Sequence, residues 1–248
     1  MSLSAQIQAS GMPREIHSRL QPPSGSTAPM VALTLDACSG QVDLHLLQFL
    51  IEQKIPATLF VTQRWLKKNA EAITLIKSAK HLFEIENHGA LHRPAILGAT
   101  RQVYGLSGLR DLNDLQQEVH VGAEAIFQEF AYQARYYRGA TARYDQQALQ
   151  KITSMGYQIA GFSVNADQGA SLGKSAILKR LAALKAGDII LAHVNKPRAA
   201  TGAALITGLS AARQRGFQFV RLDALTMAND KAGPASGTAQ SRFQRIKM

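Results

Sequence analysis

"MVALTLDACSGQVDLHLLQFLIEQKIPATLFVT", residues 30–62, decides the architecture. Its opening, "MVALTL", is a short apolar run of strand character. From Asp43 to Lys54 the apolar residues recur at spacings of three and four, the period of a helix with one buried face. "ATLFVT" then returns to the first pattern. A strand, a helix and a second strand in so short a stretch set the two strands parallel and side by side. Asp43 stands directly before the helical stretch and is placed to cap it.

The unit recurs along the chain. "ATLFVT" is followed by "QRWLKKNAEAITLIKSAK", and "LFEIE" leads through a long connection to "LNDLQQEVHVGAEAIFQEF". "RYYR" precedes "DQQALQKITSMG", "YQIAGFSV" precedes "SAILKRLAALKA", "DIILAHV" precedes "TGAALITGLSAARQRG", and "FQFVRL" comes last. Gly156, Gly187 and Gly216 each sit where a helix should stop before a strand. Strands alternating with helices imply a parallel sheet with helices packed outside it. No G-x-G-x-x-G follows the first strand, so a dinucleotide-type open sheet is disfavoured. The fold class expected is α/β, a distorted (β/α) barrel of about seven parallel strands. Residues 30–228 form this domain. Residues 1–29 end in "QPPSGSTAP" and read as an extended arm, and residues 229–248 read as a flexible tail.

Composition narrows the function classes. The chain has 248 residues, 46% of them hydrophobic, enough for a sizeable core. Its 28 Lys and Arg against 17 Asp and Glu give a net charge of +11, which favours anionic neighbours. There is no dense basic block and no aromatic interleaving, so nucleic acid is not expected as a partner. No apolar run is long enough to span a bilayer. The single cysteine, Cys38, excludes an internal disulfide. The N-terminus lacks a charged-then-apolar signal layout. Two locations stay open: periplasmic or secreted with the signal removed, and cytoplasmic. Oligomeric state is not legible.

In parallel barrels chemistry gathers at the C-terminal ends of the strands. The first strand ends in Asp36, and the third runs into Asn87, His88 and, one turn on, His92. The fourth ends in Arg138, the fifth in Asn165 and Asp167, and the sixth contains His193. His45 and His120 lie within helices, His81 lies between elements, and His17 is in the arm. Each strand-end residue has an ordinary reading as a cap, a surface charge or a core histidine. Their joint fall on one rim is what points to a site.

"LTLD", "HGALH", "RGATARYD", "NAD" and "ILAH", in this order, resemble the five motifs of the polysaccharide deacetylases, the NodB-homology domains of carbohydrate esterase family 4. The resemblance covers roughly residues 30–225. It implies a distorted barrel that uses one divalent metal, usually zinc, to remove acetyl groups from a carbohydrate, with the basic charge weakly favouring an anionic envelope polymer. Carried over residue by residue, His88 and His92 bind the metal, Asp36 is the base and His193 the acid. Arg138 holds Asp36 ionised. Asp167, with Asn165 as the second choice, orients His193. Backbone N–H groups around Gly139–Ala140 are candidates for holding the oxyanion.

The chain also departs from the family. Where two adjacent aspartates are usual, the second position is Ala37. Three resolutions are open, in this order: Asp36 as the third metal ligand, a weak or absent metal, and Cys38 as the ligand. The usual prolines of the third motif are replaced by "GATARYD", and Gln168 and Gly169 stand where a tryptophan is usual. Two other readings stay open: a metal-independent amidohydrolase on a small amide, and a catalytically silent carbohydrate-binding relative.

Overall fold

A computed structural model describes residues 12–23 and 25–229; the N-terminal residues 1–11 and the expected tail beyond Asn229 lie outside the described residues. The arm supplies β1 (Arg14–Glu15) and β2 (Ser18–Gln21). The first βα units are β3 (Met30–Ala37), α1 (Leu44–Glu52) and β4 (Ala57–Val61), then α2 (Gln63–Leu66), α3 (Ala70–Ser78) and β5 (Phe83–Asn87). An excursion carries β6 (Pro94–Ala95) and the hairpin β7 (Gln102–Val103) and β8 (Leu106–Ser107) before the long helix α4 (Leu112–Phe130). Next come β9 (Tyr136–Tyr137), β10 (Ala140–Tyr144), α5 (Gln146–Ser154), β11 (Gln158–Ile159) and β12 (Val164–Asn165). The chain continues through α6 (Lys174–Ala182), β13 (Ile189–His193), α7 (Thr201–Gln214) and β14 (Gln218–Val220). A single 3-10 turn leads to β15 (Thr226–Asn229).

The main sheet runs β11-β9-β5-β4-β3-β13-β12, with β14 pairing the start of β3, and every pairing in it is parallel. It curls into the distorted, open barrel expected. Side-chain alternation along β3 explains both layers. Val31, Leu33, Leu35 and Ala37 pack into the large core under the helices. Ala32 belongs to the core inside the barrel, and Thr34 and Asp36, on the same face, point inward to Arg138. A strand buried on both faces reads as a continuous apolar run, as "MVALTL" does. Asp43 caps α1 by accepting from Leu46 N at 3.0 Å. Gly156, Gly187 and Gly216 take φ of 90°, 83° and 88°, the turns expected before the strands that follow.

The expected fifth strand, "YQIAGFSV", is two strands, β11 and β12, broken at Ala160–Gly161. The arm passes there. Ser18 N donates to Phe162 O and Phe162 N to Ile16 O. A Cβ on Gly161 would lie 2.4 Å from Ile16 O, so only glycine admits the crossing. The arm thus lies against the segment joining β11 to β12, and β2 goes on to pair antiparallel with β15. No described helix is long and apolar enough to cross a membrane.

Candidate active site

The carboxyl ends of the parallel strands bring the predicted residues together. Asp36 and His193 are register partners at the ends of β3 and β13. His88 follows β5 and Arg138 follows β9, with Asn87 and Tyr137 paired between them. Asp167 follows β12.

Arg138 is the centre of the buried part, with no solvent exposure. Its Nη1 donates to Asp36 Oδ1 at 3.0 Å and to Thr34 Oγ1 at 2.8 Å. Its Nε and Nη2 donate to the carbonyls of Ala160 and Gly161, both at 3.2 Å. Its guanidinium also stacks 4.2 Å from the Phe60 ring centroid. A buried cation is tolerable only with such complete pairing. The arginine orders the break in the fifth strand as well as the carboxylate. Burial pushes the Asp36 carboxyl up, but Arg138, His88 and His193 outweigh it and hold the group below its ordinary value.

His193 is held from one side. Its Nδ1 meets Asp167 Oδ1 at 2.9 Å, while Asp167 Oδ2 accepts from His193 N and from Thr201 Oγ1, both at 3.0 Å. Burial works against the imidazolium, yet Asp167 and the Cys38 thiol raise His193 well above the usual histidine value. Asn165, the second choice for this role, instead accepts from Gln168 N and shapes the turn.

His88 is fully buried, its Nδ1 2.5 Å from the Arg138 carbonyl, so Nδ1 carries the proton and Nε2 faces the site. Nε2 lies 3.5 Å from Cys38 Sγ and 3.8 Å from Asp36 Oδ2. The His88 and His92 rings are 4.9 Å apart. Burial lowers His88, but Asp36 and Cys38 raise it past its ordinary value. Burial raises the Cys38 thiol, but His88, with hydrogen bonding to His193 and His92, takes it well below the usual thiol range. Thiol and imidazoles that share protons in this way form a donor set a divalent cation can enter by displacing those protons.

The backbone here is unusual. His92, Thr141 and Ala142 take φ of 63°, 67° and 51°, a left-handed region that is costly for a β-branched residue such as Thr141. These turns carry their side chains to the wall of a cavity of about 910 Å³ that also reaches Asp36, Cys38 and His193. The arm reaches it too. Glu15 and His17 line the same cavity, Glu15 pairing with Arg143 at 3.3 Å and His17 seated on Phe162. His17 therefore belongs to the site's wall, against the sequence reading that left it outside. Gly139 corrects a second expectation. Its N–H is already donated to the Tyr144 hydroxyl at 2.9 Å, so it is not free for an oxyanion. Asn195 is a residue the motifs did not flag. The residue lines the cavity; its Nδ2 donates to Ser39 O at 2.7 Å, and its Oδ1 is buried without a partner among the described residues.

The profile of the polysaccharide deacetylases matches residues 24–160, more than half of the chain. The chain belongs to the polysaccharide deacetylase family. Solved structures agree with this fold. A family 4 carbohydrate esterase from Bacillus anthracis aligns with a TM-score of 0.61 and 21% identity, over 91% of this deacetylase-family chain and 92% of its own. Bacillus subtilis PdaA, also a family 4 carbohydrate esterase, aligns at 0.63 and 19%, over 87% and 95%. A family 4 pseudoenzyme from Bacillus anthracis aligns at 0.62 and 18%, over 80% of this chain and 66% of its own length. At these identities the likeness shows the fold alone. A comparison with curated proteins finds no match.

Proposed function

We propose that the protein is a metal-dependent hydrolase that removes acetyl groups from a carbohydrate. One observation carries this reading: Asp36 and His193, register partners on neighbouring strands and bonded to Arg138 and Asp167, face one cavity beside His88 and His92. A divalent metal held by the two histidines would polarise the acyl oxygen and make water a nucleophile near neutral pH. Asp36 has Oδ1 fixed by Arg138 and Oδ2 left to accept a proton from the attacking water. His193, with Nδ1 on Asp167, presents Nε2 and delivers its proton to the departing nitrogen or oxygen. Asp167 positions the ring and keeps the donor charged. The net charge of +11 supports an anionic polymer as the carbohydrate.

The test joins metal and product. The purified protein should carry about one equivalent of zinc by elemental analysis and release acetate from N- or O-acetylated oligosaccharides. The His88→Ala/His92→Ala double variant should lose both. Equal metal in the two proteins removes the histidines as ligands. Metal without acetate release from any acetylated sugar leaves a carbohydrate-binding relative.

Asn195 should act in substrate binding. Asn195 lines the cavity with Nδ2 held on Ser39 O, and its partnerless Oδ1, buried in the absence of substrate, would accept from a sugar hydroxyl or an amide N–H that reaches it. One such hydrogen bond contributes about 1–1.5 kcal/mol. Asn195→Ala is expected to raise KM about tenfold with kcat nearly unchanged. An unchanged KM would place Asn195 outside the substrate site.

A further inference from the structure

Two imidazoles do not complete a metal site, and the end of β3 offers two further donors, Asp36 and Cys38. Strand alternation puts both on the cavity side and turns Ala37 into the helix-side core. Their commitments differ. Asp36 is tied through Oδ1 to Arg138. Among the described residues, Cys38, His88 and His92 form the group of three whose ligand atoms all lie within 4.8 Å of one another, and no carboxylate joins it. The Cys38 Sγ to His88 Nε2 separation is 3.5 Å. A tetrahedral ion with a sulfur at about 2.3 Å and a nitrogen at about 2.0 Å has an edge of about 3.5 Å between those two donors. The cysteine backbone is anchored as well, since Thr62 Oγ1 donates to Cys38 O at 2.7 Å. The proton on His88 Nδ1, held by the Arg138 carbonyl, leaves Nε2 with its lone pair on the cysteine side.

We propose that Cys38 is the third protein ligand, making a thiolate–imidazole–imidazole centre that selects zinc and other thiophilic ions over magnesium or manganese. The proposal rests on the reading that His88 and His92 hold a metal, and it relieves Asp36 of a second duty. Thiolate favours borderline and soft ions, whereas carboxylate with imidazole accepts harder ones. The ligand exchange forms one metal–sulfur bond and releases the thiol proton to solvent, with no change of oxidation state.

Cobalt(II) added to the full chain after chelation tests it. The wild type is expected to show the visible bands of a tetrahedral ion together with a sulfur-to-cobalt charge-transfer band in the near ultraviolet. Cys38→Ser should lose that band and bind zinc more than about a hundredfold more weakly, since even an outer-shell partner is worth 10–100-fold. Cys38→Asp should bind cobalt without the band and narrow the gap between zinc and manganese affinities. Wild-type cobalt binding with visible bands and no charge-transfer band overturns the cysteine ligand while leaving a histidine-bound metal intact. Failure of the wild type to take up either cobalt or zinc overturns both. The wild-type spectrum alone decides the point, so a misfolded variant cannot obscure it.

Discussion

His193→Ala is expected to keep its fold and its metal while hydrolysing an N-acetyl sugar about 10²–10⁴-fold more slowly, the range for loss of a general acid. The reason is local. The imidazole touches Asp167 on one side and the Cys38 thiol and the cavity on the other, and no backbone pairing of the barrel runs through its ring. An amine cannot leave without a proton, whereas the phenolate of an aryl acetate can. The aryl acetate should therefore be slowed far less. The pH profile gives a second readout. His193 stays protonated well above the usual histidine range because Asp167 faces it, so the basic limb of the profile reports its deprotonation. Asp167→Asn removes the charge that favours the imidazolium, lowers the pKa and moves that limb to lower pH. Equal slowing of both substrates by His193→Ala would give His193 a positioning role instead.

Arg138→Met should be the most destabilising single change at the site, by about 3–5 kcal/mol, the cost of leaving a buried charge without its partner. Asp36, Ala160 O and Gly161 O all lose their donor at once. The pH dependence should change sign. In the wild type Asp36 has a folded-state pKa below its unfolded value. Its contribution is therefore present above about pH 4 and is lost as the pH falls through the lowered value. Without Arg138, burial dominates and raises the folded-state pKa, so the variant should lose stability as the pH rises above about 4. Urea melts across this range measure both slopes. Adding Asp36→Asn should recover much of the loss, because the orphaned charge is gone. A single variant within about 1 kcal/mol of wild type would show that the ion pair does not anchor the site.

The parts of the molecule that were legible in the sequence were those set by local periodicity. β3, β4 and β13 are apolar runs, and the polar residue at or just past the end of each run falls on the sheet's C-terminal rim. That places Asp36 and His193 without any knowledge of tertiary contacts. What local pattern could not supply was pairing between distant segments. "YQIAGFSV" has the composition of one strand, and only the arm crossing at Gly161 divides it. Glu15 and His17 gave no sign of belonging to the cavity, because β1 pairs with β10, far away in the chain. The choice between Asp36 and Cys38 as a metal donor depends on where Arg138 reaches, which no spacing reveals. Glu84 and Glu86 alternate with Phe83 and Ile85 along β5. In the fold they are buried, and burial pushes Glu86 up to about 8 while it accepts from Arg135 N, Tyr136 N and the Tyr132 hydroxyl.

The pairing of β2 with β15 sets a timetable for the nascent chain. Ser18 meets Asn229 and Gln21 meets Thr226, so a segment made before the barrel strands must wait for one made after them. Asp36, His88 and Arg138 can gather as soon as β9 has emerged, whereas His193 arrives only with β13. Until β15 follows, Leu20 and Leu222, both buried in the finished barrel, lack their cover. Contacts of such long sequence separation form slowly, and the apolar surface left open meanwhile is prone to aggregation. Translation speed and chaperone supply over the last βα units should therefore govern the yield of soluble protein.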